Sequence, residues 1–349
     1  MKNVENVPPL GDGGILILYT GGTIGMVKDP RTGTFVPFDF ELIARNLPDL
    51  ARSNYKLTVH SFADIIDSSN MQPSIWQEMA RIVRDHYALY DGFVILHGSD
   101  TMSFSASMLS FMLEGLQKPV IFSGSQLPIG EIRTDARENL MTALEIASAK
   151  ENGRSVVQEV CILFDNKLFR GNRSFKYNSA KFEAFRSPNY PVLAEAGIHI
   201  KYNREALSDN AGRDFVVHGQ LDNRVGVLKL FPGIPPETVK AVLNADVRSV
   251  VMETFGSGNT MTAKWFLDLI AGAINGGKNV LNISQCRVGS VELGRYETSQ
   301  GLKALGVLNG YDMTFEAAVT KLMYLQGQFK DQKSVAHWAE KNLRGELSV

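Results

Sequence analysis

Four polar clusters, each placed just beyond an apolar run, carry most of the chemistry available to this sequence. Thr20-Gly21-Gly22-Thr23 follows ILILY, and Asp67-Ser68-Ser69-Asn70 follows the run at 56–61. His97-Gly98-Ser99-Asp100-Thr101 follows GFVIL, and Gly124-Ser125-Gln126 follows PVIFS. A threonine or serine hydroxyl is a weak nucleophile until a base or a positioned hydrogen bond takes its proton. The structural alternative for Thr23, and for the 99–101 cluster ahead of a helix, is helix capping or a turn. Hydroxyls or carboxylates at all four ends favour chemistry. The glycines let backbone approach a ligand or adopt a positive φ.

A fifth stretch, RGNRSFKYN at 170–178, is basic with Phe169, Phe175, Tyr177 and Phe182 interleaved. It reads as a solvated loop, as a face for single-stranded nucleic acid, or as the carrier of an inward lysine. In the last case Lys176 pairs with Asp100 and passes a proton to or from Ser99. A formal net charge of −1 gives no general attraction for nucleic acid or anionic membrane. Gly21, Gly22 and Gly25 miss the dinucleotide-binding spacing, and no P-loop lysine follows. The six histidines show no HExxH and no metal-ligand spacing. His97 reads as a packing or backbone-bonding residue, and no metal is expected.

The elements that must position these residues alternate. Strands are predicted at 14–19, 56–61, 92–96, 119–123 and 158–164, with helices from Pro73, over 102–116 and over 135–149. Unbroken apolar strands point to a parallel sheet covered on both faces, whose ligands bind beyond the carboxyl ends of the strands. After a polar stretch at 203–213 come strands at 226–230, 247–252 and 279–283. Helices are predicted near 236–243 and 262–274, with two more between 315 and 343. The expected fold is α/β: a large N-terminal doubly wound domain over 1–205, a linker over 206–222 and a smaller C-terminal α/β domain over 223–349. The apolar share is 44% and the charged share 21%, ordinary for a globular protein. Two separated cysteines fit a reducing compartment. With no secretory signal or long apolar span, a cytoplasmic location is expected.

YTGGTIGM, DSSNM, HGSDTM and RGNRSFK, in this order, resemble the bacterial type I (cytoplasmic) L-asparaginases of the asparaginase/glutaminase family. The likeness runs on through the SQC segment at 284–286 to the closing NLRGEL. It implies hydrolysis of L-asparagine to L-aspartate and ammonia, without a cofactor. It also implies homo-oligomers, usually tetramers of intimate dimers, with the site between subunits. Position by position, Thr23 matches the acylating nucleophile, and Ser99, Asp100 and Lys176 match a second hydroxyl–carboxylate–lysine triad. Asp67 and Ser68 match the holders of the substrate's α-amino and α-carboxylate groups. Gly22, Ser69, Gly98 and Ser125 complete the implied substrate site, and Asn259 in the 256–259 loop reaches a neighbour's. Two departures stand out. Ser99 replaces the family's usual threonine and lacks the methyl that pins χ1. Phe35 stands where many relatives have a tyrosine in a mobile segment, here 24–38, expected to close as a lid. Tyr296 in GRYETS resembles a tyrosine kept by cytoplasmic members and is assigned the activating role. Competing readings are a glutaminase-leaning amidase, an amidotransferase subunit that frees ammonia (usually with an extra N-terminal domain), and a silent amino-acid binder.

Overall fold

A computed structural model describes residues 5–6, 14–28, 31–32, 35–37, 56–295 and 297–348. Gly14–Gly21 (β1) is buried from its second residue to its last. Such a strand must lie inside a sheet covered on both faces. Lys56–Ile66 (β2) and Gly92–Leu96 (β3) flank it, both parallel. Val120–Ser123 (β4) and Val160–Phe164 (β5) continue the parallel ladder.

Pro73–His86 (α1), Met102–Met112 (α2) and Ala136–Ser148 (α3) connect these strands. Pro73 sits in the first turn of α1, where its missing N–H leaves no bond unmade. Lys167–Arg170 (β6), Ala194–Ala196 (β7) and Ile200–Tyr202 (β8) then add antiparallel strands. With Glu5–Asn6 on the far edge, the nine-stranded order is 5–6, β2, β1, β3, β4, β5, β6, β7, β8. The chain moves outward from β1 to β2, then crosses back to place β3 on the other side of β1. The crevice at such a reversal is where open α/β sheets bind ligands.

The chain divides into two compact units, Met1–Val217 and His218–Val349. The second has a parallel sheet of Val225–Lys229 (β9), Ser249–Thr254 (β10), Asn279–Ser284 (β11) and Leu308–Asn309 (β12). Its helices are Pro236–Asn244 (α4), Lys264–Asn275 (α5), Glu297–Ala304 (α6), Phe315–Gln328 (α7) and Gln332–Ala339 (α8). Inside it the fully buried Lys321 and Glu346 pair at 2.6 Å, which seats the final turn of the chain against α7. The molecule is thus α/β, with a large sheet whose five central strands are parallel and a smaller parallel C-terminal sheet.

Two expectations are corrected. The helix expected over 102–116 ends at Met112, because Leu113–Glu114 pairs with Val216–Val217 and Gly115 takes φ +68°. The 170–178 run is not a solvated loop: Arg170, Asn172, Arg173 and Ser174 are buried. Arg170 Nε donates to Glu159 at 2.6 Å, and Glu159 also accepts from the Ser208 N–H. Among the described residues no helix is long and apolar enough to cross a membrane.

Candidate active site

The carboxyl ends of β1, β2 and β3 interlock through main chain and short hydroxyl side chains. Thr20 Oγ1 donates to Leu96 O at 2.9 Å, fixing the end of β1 against the end of β3. Gly22 has φ +91°, and a Cβ there would lie 2.5 Å from Gly98 N. A Cβ on Gly98 would in turn lie 2.6 Å from Ser68 Oγ. Only glycine allows either approach. The clusters at 20–23, 67–70 and 97–101, read separately from the sequence, therefore meet at one edge of the sheet.

Thr23 opens a tight turn, Thr23–Gly25, immediately after this contact. The Tyr19 hydroxyl donates to Gly25 O at 3.3 Å and braces the turn from within. Within the expected lid, Met26–Lys28 pairs antiparallel with Phe35–Pro37. Residues 29–30, 33–34 and 38, together with the Phe35 side chain, lie outside the described residues.

Asp67 caps the Ser68–Asn70 turn, its Oδ1 accepting from the Ser69 N–H at 3.0 Å and the Ser69 hydroxyl at 2.7 Å. These bonds, the backbone one foremost, hold the Asp67 carboxyl below the usual carboxylate range. Ser68 is buried, and its carbonyl accepts from Thr101 Oγ1 at 2.7 Å. The Thr101 hydroxyl thus ties the β3 end to the β2 end rather than capping α2.

Lys176 reaches this edge from Phe175–Lys176, which pairs with Phe185–Arg186. Its Nζ donates to Ser99 Oγ at 2.7 Å and to Asp100 Oδ1 at 2.8 Å. Its own side chain is 17% exposed and that of Asp100 69%, so the lysine stands between a covered hydroxyl and an open carboxylate. The nucleic-acid reading loses its basis, because the run's first arginine and its lysine are already paired within the protein.

Ser99 Oγ also donates to Gln126 Oε1 at 3.4 Å, while Gln126 Nε2 donates to Lys181 O at 3.0 Å. Gln126 stands in the sequence at the end of β4, where the resemblance assigns its neighbour Ser125 to the substrate site. Ser125 is buried, and its hydroxyl donates to Leu127 O at 2.6 Å. Asp135 pins the same loop by accepting from the Gln126 and Leu127 N–H groups, and burial raises its pKa despite those bonds.

In the second unit, the loop carrying Asn259 is a tight reversal at the end of β10. Phe255 and Asn259 exchange backbone bonds at 2.9 and 2.8 Å, and Asn282 Nδ2 donates to Gly258 O. Tyr296 lies outside the described residues. Among those described, no group of three His, Cys, Asp or Glu side chains is placed to hold a metal.

Family models match both units: "Asparaginase, N-terminal" over residues 14–208 and "Glutaminase/Asparaginase C-terminal domain" over 224–338. The chain belongs to the asparaginase family. L-asparaginase 1 of Escherichia coli K12 is 40% identical to it, over 96% of this chain and 98% of that protein. The human 60 kDa lysophospholipase is 42% identical over 96% of this chain, which matches 61% of that longer protein. The crystal structure of L-asparaginase I from Vibrio cholerae superimposes with a TM-score of 0.88 at 39% identity, over 97% of this chain and 99% of that one. Family membership makes the chain an amidohydrolase of the asparaginase class, and the edge built by β1, β2 and β3 is the natural place to look for its reaction.

Proposed function

We propose that this chain hydrolyses the side-chain amide of L-asparagine to L-aspartate and ammonia through an ester on Thr23. The observation that carries the reading is the placement of Lys176 Nζ within hydrogen-bond reach of both Ser99 and Asp100, at the edge where Gly22 rests on Gly98. In this mechanism Thr23 Oγ attacks the amide carbon as its proton leaves for the departing nitrogen, with Tyr296 the group proposed to mediate that transfer. The C–N bond breaks and ammonia departs. Water then attacks the ester, its proton is relayed through Ser99 and Lys176 to the Thr23 oxygen, and the C–O bond to Thr23 breaks to release aspartate and restore the hydroxyl.

Asp67 and Ser68 hold the substrate's charged α-substituents, with Gly22, Ser69, Gly98 and Ser125 lining the pocket and Asn259 contributed from a neighbouring subunit. The Ser99 N–H serves as a donor to the developing oxyanion, a contact typically worth about 3 kcal/mol. We place the protein in the cytoplasm as a homo-oligomer, a dimer of intimate dimers, which light scattering of the purified protein checks. The deciding experiment measures ammonia release from asparagine and from glutamine. Faster release from asparagine supports the reading. Preference for glutamine makes the chain a glutaminase, and binding of L-aspartate without turnover makes it a silent amino-acid binder.

A further inference from the structure

His97 stands immediately ahead of the Gly98-Ser99-Asp100 cluster and is 1% exposed. Its Nδ1 lies 2.7 Å from Gly98 O and its Nε2 lies 2.8 Å from Ser105 Oγ. Ser105 Oγ in turn accepts from Trp76 Nε1 at 2.8 Å. Both ends of this chain have a fixed polarity. An indole N–H only donates, and a carbonyl only accepts. Ser105 therefore accepts from Trp76 and gives its own proton to His97 Nε2, and the imidazole keeps its single proton on Nδ1, where it donates to Gly98 O. Burial pushes the ring's pKa down to about 4, against the opposing effect of the Gly98 bond. The ring is thus neutral at physiological pH, as one donor and one acceptor require.

The carbonyl that His97 holds belongs to the Gly98–Ser99 peptide. In a planar trans peptide the C=O and the N–H point in opposite directions. With Gly98 C=O drawn inward to the imidazole, the Ser99 N–H is aimed outward. Among the described residues that N–H has no protein acceptor. Gly98 has no Cβ to restrict its own ψ, and among the described residues the bond from His97 is the polar contact on this carbonyl, so that bond helps set the plane of the peptide.

We infer that the Trp76–Ser105–His97 chain is a positioning device that aims the Ser99 N–H at the oxyanion, acting through the Gly98 carbonyl without touching substrate. The inference rests on the asparaginase reading of this edge. A lost oxyanion donor lowers turnover by about 10²–10³. A donor that remains but is no longer aimed forfeits part of that, on the order of tenfold in kcat.

The test compares two amides at position 97. His97→Asn places an N–H where Nδ1 was, whereas His97→Gln reaches toward Ser105 and leaves Gly98 O unheld. Expected values of kcat are within threefold of wild type for His97→Asn and about tenfold lower for His97→Gln, with KM within threefold in both. A merely structural role would lower thermal stability in both without separating them in kcat. Should His97→Gln not fold, Ser105→Ala removes the hydrogen bond that holds the far edge of the ring, one of the two contacts that orient Nδ1 toward Gly98 O, and is expected to lower kcat at least threefold. Wild-type kcat in His97→Gln and Ser105→Ala overturns the inference. If the wild-type protein releases no ammonia from asparagine, the asparaginase reading fails separately. Crystal structures of the two amide variants then decide the positioning role, because an unchanged Gly98–Ser99 peptide plane in His97→Gln overturns it regardless of turnover.

Discussion

Replacing Lys176 with methionine keeps the length and packing of the side chain and removes its ammonium group. The magnitude follows from two contacts. Asp100 is 69% exposed, so loss of that pair costs at most about 1 kcal/mol after solvent screening. Ser99 is 8% exposed, and a hydrogen bond from a charged donor to so covered a group is worth about 1.5–3 kcal/mol. If the same bond carries the proton during hydrolysis of the ester, the loss is that of a general acid–base pair, about 10²–10⁴ in rate. The expected fall in kcat is therefore about 10³-fold, or roughly 4 kcal/mol. The melting temperature should fall by no more than ~6 °C, because the two contacts together are worth at most about 4 kcal/mol and a chain of this size loses roughly 1.4 °C per kcal/mol. Lys176→Arg separates charge from proton transfer, since a guanidinium keeps the charge but does not give up its proton; it should stay within tenfold of the methionine variant. Steady-state ammonia release reads all three proteins. A Lys176→Met enzyme turning over within threefold of wild type would refute the triad, and full rescue by arginine would leave the lysine an electrostatic part only.

Thr23→Ala should remove turnover while leaving circular dichroism and melting unchanged; near-native ammonia release would mean that another group attacks the amide. Tyr296→Phe should lower kcat strongly with KM little altered, and a variant of normal rate would show that something else activates Thr23. Ser99→Thr keeps the hydroxyl and adds the methyl that restricts χ1, so turnover should hold or rise by up to about threefold; a steep loss in kcat would show a pocket shaped for serine. The Asp222 carboxyl is held at about 2 rather than 3.8, chiefly by Arg224 and then by Arg248. A depressed carboxyl stabilises the fold above its unfolded value and loses that contribution as it protonates. Acid titration should thus weaken the protein between about pH 4 and 2 through this residue, and Asp222→Asn should lack that component; an identical acid profile in the variant would contradict it.

Much of the fold and of the candidate site was legible because apolar runs and the polar residues that end them are local signals. The strands around GFVIL and PVIFS could be placed from composition, and a parallel sheet brings their carboxyl ends to one side. What escaped was set by partners distant in sequence. Nothing near Met112 announces that Leu113–Glu114 will leave the helix to pair with Val216–Val217. Arg170 reads as a surface cation until Glu159, two residues ahead of its register partner Cys161, is seen to pair with it. The hairpin between β5 and β6 did leave a signal, since Asp165 and Asn166 both take positive φ in its turn and their residue types tolerate it. Ser125 and Gln126 are adjacent and nothing local tells them apart, yet Gln126 turns toward Ser99 while Ser125 bonds to its own loop.

The contact of Gly22 with Gly98, and of Gly98 with Ser68, also bears on how such a pocket can change over generations. Glycine meets peptide at the first of these steps and the buried Ser68 side chain at the second, so point mutation has almost no vocabulary there: a Cβ at 22 or 98 has no room unless backbone or Ser68 gives way. On the proposed asparaginase reading, any change of preference between one small amide and another falls to groups with room to vary, such as Asp100 and Gln126, while the glycine contacts beneath them stay as they are.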